Sequence, residues 1–222
     1  MLTPRMKAVA NLIGKNKTVA DIGCDHGKLS VYLIKNNIAQ TVFATDISSP
    51  SLEKAKKLAE SENIKNITFY VGNGFEPLPE RPDAAVIAGM GGQVIADIIT
   101  NEFAKTKLVL QPMKDTDILY KQLYSLGFYI EKEVIIRQGG RFYEIILAVP
   151  GQDKPFDYDI VPIDRLQKDE NALLFLQHKV NVLTKALKGA SKSDSPDGIK
   201  RYNEINNKIK LLNEVIIDAY GR

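Results

Sequence analysis

Between residues 18 and 150 short β-type apolar runs alternate with helical patterns, and then the alternation stops. TVADIG (18–23), TVFATD (41–46), ITFYVG (67–72), DAAVIAG (83–89) and KLVLQP (107–112) are the apolar runs. Near-continuous hydrophobicity of this kind marks strands buried on both faces. LSVYLIKNN (29–37), PSLEKAKKLAESEN (50–63), VIADIITNEF (94–103) and DILYKQLYSLG (117–127) lie between them with apolar residues at helical spacing. The pattern predicts an α/β fold, a parallel sheet with helices on both faces. YIEKEVIIRQ (129–138) and RFYEIILAVP (141–150) then flank Gly139-Gly140, a hairpin signal. A plain dinucleotide fold would instead continue with a sixth parallel strand reached by a crossover helix. Ahead of the first strand, Thr3 and Pro4 cap and open a helix that Gly14 ends.

The grammar changes after Pro150. GQDKPFDYD (151–159) reads as a polar linker. Leu166, Leu173, Val180 and Leu187, with Leu176 and Leu183 offset, then recur in sevens. After the loop GASKSDSPDG (189–198), Tyr202, Ile209 and Ile216 repeat the spacing, with Ile205, Leu212 and Ala219 between them. Two coiled-coil-like helices joined by a short loop predict an antiparallel helical hairpin. The expected organisation is a domain over 1–150 and a helical hairpin over 151–222.

Composition narrows the setting. At 222 residues and 44% hydrophobic, the chain can bury a full core. Cys24 is the only cysteine, so no intrachain disulfide forms and a cytoplasmic setting is expected. No apolar run approaches a membrane span, and the start lacks a signal-peptide layout. One Cys and two His give no metal constellation, so no metal is expected. A net charge of +3 permits nucleic-acid binding without demanding it. A monomer or weak dimer is the expected assembly.

Four strand ends carry the chemistry. Asp21-Ile22-Gly23-Cys24-Asp25-His26-Gly27 ends the first strand and opens a helix. Glycines there let the backbone turn tightly and approach a ligand, and the helix N-terminus favours an anion. Asp46 ends the second strand, where a carboxylate can accept hydrogen bonds from both hydroxyls of a ribose, or cap the following helix. Gly72-Asn73-Gly74 ends the third, suited to a loop over an adenine ring or to a simple Asn-Gly turn. Ala88-Gly89-Met90-Gly91-Gly92 ends the fourth, with more glycine than a strand-to-helix turn needs. In open α/β sheets ligands bind at such carboxyl ends, near the switch point.

Together these segments resemble the class I S-adenosylmethionine methyltransferases. Their Rossmann-like sheet has seven strands, one late strand running antiparallel, which the terminal hairpin matches. More narrowly, LTPRMKAVA, ADIGCDHGKL, TFYVGNG, IAGMGG, LVLQP and YEIILA resemble the bacterial tRNA adenine-N1-methyltransferases acting on position 22 of tRNA. The resemblance includes the helical tail. It implies S-adenosyl-L-methionine as cofactor and tRNA as partner. Cofactor contacts would come from Asp21, Gly23, Cys24, His26, Gly27, Asp46, Ile47, Asn73, Gly74, Ala88 and Gly89. Asp25, Met90 and Gly91 would border the reacting atoms. This chain departs from the usual motif where Asp25 stands for glycine, though family members share this Asp-His. It also has Lys28 for an aromatic, Asn73 for Asp and Asp46 for Glu.

The implied reaction is attack of adenine N1 on a sulfonium methyl. Asp25 is the better acid to stabilise the cationic product, whereas Asp21 is expected to brace the loop through backbone N–H groups. His26 would bond a ligand or brace the loop. Arg5, Gln111 and Tyr143 are candidate substrate contacts, with core packing the alternative for Tyr143. From Lys179 to Lys210 eight Lys/Arg face three acids, a local net of +5. Lys185, Lys188, Lys192, Lys200 and Arg201 are therefore candidate tRNA phosphate contacts, against a solvated helical face as the alternative. Competing functions are a methyltransferase for a small molecule or protein, an NAD oxidoreductase, and a non-catalytic interaction module. The oxidoreductase lacks a regular GxGxxG. DNA amino-methylation lacks its Pro-Pro-aromatic segment.

Overall fold

The computed structural model describes residues 2–151, 165–190 and 195–221. Most of the expected 151–159 linker, and Lys192, lie outside the described residues. The elements follow the sequence closely: α1 Pro4–Ile13, β1 Asn16–Ile22, α2 Lys28–Lys35, β2 Ala39–Asp46, α3 Ser49–Ser61, β3 Ile67–Val71 and β4 Ala84–Met90. Then come α4 Gly92–Ile98, a 3-10 turn Glu102–Ala104, β5 Lys107–Pro112, α5 Thr116–Ser125, β6 Phe128–Gln138 and β7 Arg141–Pro150. The tail helices are α6 Glu170–Ala190 and α7 Pro196–Tyr220.

The seven strands form one sheet in the order β3-β2-β1-β4-β5-β7-β6. β1 to β5 pair in parallel, and β7 runs antiparallel to both β5 and β6. Gly139 and Gly140 take φ of 58° and 74°, the pair of left-handed residues that a two-residue hairpin turn requires. The order reverses between β1 and β4, which places a crevice at their carboxyl ends.

Period-two side chains divide the core into two layers. Val19, Val42, Val86 and Val109 face α1, α2 and α3; Ile22, Phe43, Ile87 and Leu110 face α4 and α5. α1 is capped as its sequence demands: Thr3 Oγ accepts the Met6 N–H, and Gly14 closes the helix at φ 65°.

Within the strand-and-helix region, one helix departs from expectation. The helix expected over 94–103 begins at Gly92 and ends at Ile98. Asn101 Oδ1 accepts the Phe103 N–H and opens a separate 3-10 turn. A short amide so placed competes with helix continuation.

α6 and α7 pack on each other, and α6 packs on β6. Residues early in α6 cluster with residues late in α7, so the two helices run antiparallel. Leu173, Leu176, Leu212 and Ile216 are buried with Ile135 of β6. Leu166 lies before the helix, in a bridge with Glu133, so it belongs to the sheet edge and not to a helical seam. Val180, Leu183 and Leu187 are only half-buried. Part of the heptad pattern is therefore spent on docking the hairpin to the sheet. Among the described residues no helix is long and apolar enough to cross a membrane, and no His, Cys, Asp and Glu group could hold a metal.

Candidate active site at the carboxyl ends of the sheet

A cavity of about 630 Å³ opens outside the carboxyl ends of β1 to β4, with the start of α1 on one wall. Its lining brings together Asp21, Gly23, Cys24, Asp25, His26, Asp46, Ile47, Asn73, Gly74, Ala88, Gly89, Met90 and Arg5.

A buried threonine holds three of the loops in register. Thr45 O accepts the N–H groups of Gly23 and Cys24 at 2.8 and 2.9 Å. Its hydroxyl donates to Gly74 O at 3.0 Å. Gly23 has φ 69°, and a Cβ there would meet Met90 Cε at 2.1 Å, so the first and fourth strand ends approach across a missing side chain. Gly74, at φ 57°, admits Ile98 in the same way.

Asp46 occupies the end of β2. Its Oδ2 accepts the Asp25 N–H at 3.0 Å, and its Oδ1 accepts the Ser48 N–H at 2.8 Å. The helix is capped by Ser48, whose hydroxyl accepts from Ser51, so Asp46 is not the cap. Each carboxylate oxygen keeps further acceptor capacity toward the cavity.

Asp21 does not bond the loop N–H groups expected of it; Asp46 does that bracing through Asp25. Asp21 points to α2, where its Oδ2 accepts the Ser30 hydroxyl at 2.5 Å. Burial pushes its carboxyl up to about 6, against the bonds from Ser30 and with a smaller contribution from Asp46. Burial likewise pushes the Cys24 thiol up, helped by the charges of Asp21 and Asp46, so it stays protonated at neutral pH and is no nucleophile.

Asp25 has φ 50°, the left-handed region where glycine would be unstrained. Its carboxylate is exposed and lies 3.5 Å from His26 Nε2. Lys54 Nζ lies 3.3 Å from the same nitrogen, so the His26 tautomer decides which neighbour it bonds. The Asn73 side-chain amide donates to Glu76 at 3.2 Å. Ile47 stands at the mouth, 76% exposed, a large apolar surface with no protein cover.

Several candidates lie outside the lining. Gly27 is the N-cap of α2 at φ 68°, where a Cβ would strike Ala55 Cβ at 2.7 Å; it permits α2 to pack on α3. Gly91 is the N-cap of α4, behind Met90. Gln111 is fully buried, and its oxygen accepts from Arg5 Nη1 at 2.5 Å. Tyr143 stacks under the same guanidinium, 5.1 Å from its ring centroid. Gln111 and Tyr143 thus support Arg5, the member of the three that reaches the cavity. Lys185 and Lys188 near the end of α6, and Lys200 and Arg201 near the start of α7, are exposed at the end of the hairpin away from the sheet. Lys192, between them in sequence, lies outside the described residues.

Sequence reasoning missed Leu2, Thr3 and Met6 on the α1 wall and Val94 and Ile98 on the α4 wall. Helical spacing marks Met6 and Ile98 only as apolar. Nothing local reveals that the sheet carries them to the crevice.

A model of the methyltransferase domain family matches residues 2–146. The chain belongs to the methyltransferase family. The tRNA (adenine(22)-N(1))-methyltransferase of Bacillus subtilis is 29% identical over 234 residues, spanning 97% of this chain and 97% of its own length. The crystal structure of the B. subtilis m1A22 tRNA methyltransferase TrmK superposes with a TM-score of 0.81 at 26% identity, covering 97% of this chain and 99% of that one. M. capricolum TrmK, in complex with S-adenosyl-homocysteine, superposes with a TM-score of 0.82 at 27% identity over 99% of each chain. These similarities extend through α6 and α7 of this methyltransferase.

Proposed function

We propose that this chain transfers the methyl group of S-adenosylmethionine to N1 of an adenine in tRNA. Residues 1–150 would form the catalytic unit and residues 151–222 a tRNA-gripping helical unit, acting in the cytoplasm. The observation that carries the reading is full-length similarity to tRNA adenine-N1-methyltransferases, tail included, around a cavity of fitting chemistry.

The residues present suit the cofactor. The glycine at position 23 leaves the first loop open beside Met90, Asp46 offers two acceptors to a pair of ribose hydroxyls, and Asn73 and Ile47 offer an amide and an apolar face to a purine. Buried Asp21 supplies negative charge below the loop. When bound, S-adenosylmethionine supplies an electrophilic sulfonium methyl.

Adenine N1 carries an in-plane lone pair, so it needs no deprotonation to accept a methyl. The task of the protein is to align that nitrogen and exclude water, which can supply roughly 7–11 kcal/mol. Met90 and Gly89 bound the space beside the first loop, where a flat ring can lie against backbone. The methylated ring is cationic; Asp25, exposed on the cavity wall, offsets that charge or accepts a proton from the exocyclic amine.

The test is tritiated methyl transfer from S-adenosylmethionine to unmodified bulk tRNA, followed by nucleoside digestion. Label in 1-methyladenosine is the expected result. Cofactor binding without label in any tRNA would overturn the reading and redirect attention to small-molecule or protein acceptors.

A further inference from the structure

A chain of three side chains ties the helical unit to the start of α5, next to the segment bonded to the cavity wall. Glu144, near the start of β7 and opposite Ile135 of β6, is largely buried. Its Oε1 accepts the Thr116 hydroxyl at 2.7 Å. Its Oε2 is buried without a hydrogen bond and faces Lys179 Nζ of α6 at 3.7 Å. Lys179 also lies 5.0 Å from the Phe175 ring centroid, within the cluster that docks α6 on β6.

Thr116 opens α5, and the residues just before it are locked to the fourth strand end. The Met113 N–H donates to Met90 O, and the Gly92 N–H donates to Lys114 O, both at 2.8 Å. A Cβ at Gly92 would strike Asp115 O at 2.1 Å, so no side chain separates the two segments. Residues 113–115 and 90–92 therefore form one backbone unit, and Met90 belongs to the cavity wall.

A carboxylate is an odd choice for mere anchoring. Buried ion pairs contribute little net stability relative to apolar packing, but they demand one geometry. A second buried acid, Glu133, lies 2.8 Å from the Tyr120 hydroxyl through both oxygens. Burial, and then the charge of Glu144, push its carboxyl up to about 8. Two acids thus share this face, with Lys179 set against Glu144.

We propose that Glu144 is a positioning residue: the chain Lys179–Glu144–Thr116 holds segment 113–116, and through it Met90, in the geometry that seats the target base. The helical unit then sets catalytic alignment in addition to any contact with RNA. This rests on the methyl-transfer reading for its kinetic consequence, though not for its structural one.

The test combines kinetics with hydrogen exchange on the full chain. Glu144→Gln and Lys179→Met are expected to lower kcat at least about tenfold, the scale of a small misplacement of reacting groups. Cofactor affinity stays unchanged, and Lys179→Arg recovers most of the loss. Exchange at the Met113 amide accelerates in both variants, while the Gly23 and Cys24 amides do not change. The exchange readout needs no methyl acceptor, so it judges the coupling even if wild-type protein fails to methylate tRNA. Should Glu144→Gln not fold, Thr116→Val breaks the same chain and leaves the ion pair in place. Unaltered Met113 exchange, unaltered kcat in a folded variant, or cofactor affinity falling in step with kcat would each overturn the proposal.

Discussion

The thioether tip of Met90 occupies the space that a side chain on Gly23 would fill, with Met90 Cε 2.1 Å from the position of a Gly23 Cβ. Two strand ends separated by 67 positions thus depend on one absent methyl. Gly23→Ala meets two penalties. The left-handed φ of 69° costs an alanine about 1–2 kcal/mol, and the methyl forces Met90 aside. Met90 has a flexible side chain, so the fold survives, but the displaced thioether enters the cavity. The expected outcome is a modest fall in Tm with a loss of cofactor affinity of about tenfold or more. Adding Met90→Ala restores space but not φ, so calorimetric Kd recovers in part while Tm does not. An unchanged Kd in Gly23→Ala would show that the loop tolerates what the geometry forbids.

The raised carboxyl of Asp21 predicts a pH-dependent cofactor affinity. Folding raises its carboxyl from 3.8 to about 6, chiefly by burial. The sign follows from linkage: the stabilising contribution is complete below about 3.8 and is lost as pH rises through about 6. Keeping the carboxylate ionised at neutral pH costs the unliganded fold about 3 kcal/mol. A cationic cofactor prefers the ionised form, so affinity runs the opposite way and weakens as pH falls through 6. At about pH 5 roughly a tenth of the carboxyl groups are ionised, and Kd should rise about tenfold over its neutral value. Asp21→Asn should flatten this profile, which titration calorimetry across the range would show. A wild-type profile as flat as that of the variant would remove Asp21 from cofactor binding.

Much of this architecture was legible because local signals agreed. Thr3, Pro4 and Gly14 bound α1; Gly139 and Gly140 set the hairpin; apolar runs ending in glycine or Asp marked strands and their ligand-facing tips. The seven-stranded sheet with one late antiparallel strand was legible only through resemblance, and the strand order had no signal in the sequence. Position alone misled where partners come from elsewhere in the chain. Asp21 reads as a loop brace from its place before Gly23, but it accepts from Ser30, in the first turn of α2. Gln111 and Tyr143 sit at strand ends that point toward the ligand side, yet both are occupied by Arg5 from α1. Leu166 fits a heptad, yet its backbone joins β6 before α6 begins. Glu144 stands in the YEIILA segment, but nothing in the sequence marked its role, because its partners Thr116 and Lys179 are 28 and 35 positions away.

Asp46 braces the first loop from the end of β2. Its two oxygens each accept one backbone N–H, from Asp25 and Ser48. Asp46→Ala removes both acceptors as well as those offered to a ribose. Hydrogen bonds to a charged group contribute about 1.5–3 kcal/mol, so cofactor Kd should rise about tenfold to a hundredfold. Asp46→Asn is not a mild control, since its amide would turn a donor toward one of the two N–H groups. Glutamate restores the charge at a longer reach and should recover part of the affinity. Equal Kd for wild type and Asp46→Ala would leave the carboxylate with a purely structural role, visible then only in Tm.

The tail calls for point substitutions instead of truncation. Deleting it would uncover Ile135 and remove the backbone partners that Arg165 and Gln167 give Glu133, so lost activity would not separate RNA grip from a damaged sheet edge. Lys185, Lys188, Lys200 and Arg201 are exposed, and Lys188 lies about 14 Å along α6 beyond Lys179. Changing all four to alanine leaves the docking cluster and the cavity untouched. If they grip phosphates, KM for tRNA rises and kcat is preserved. The dependence of log affinity on log salt should flatten by up to about three, since each lost phosphate contact removes roughly 0.7–0.9. Filter binding over a salt series measures this directly. A slope equal to that of wild type would make these cations a solvated face, and would assign tRNA recognition to the cavity rim around α1 and the end of β4.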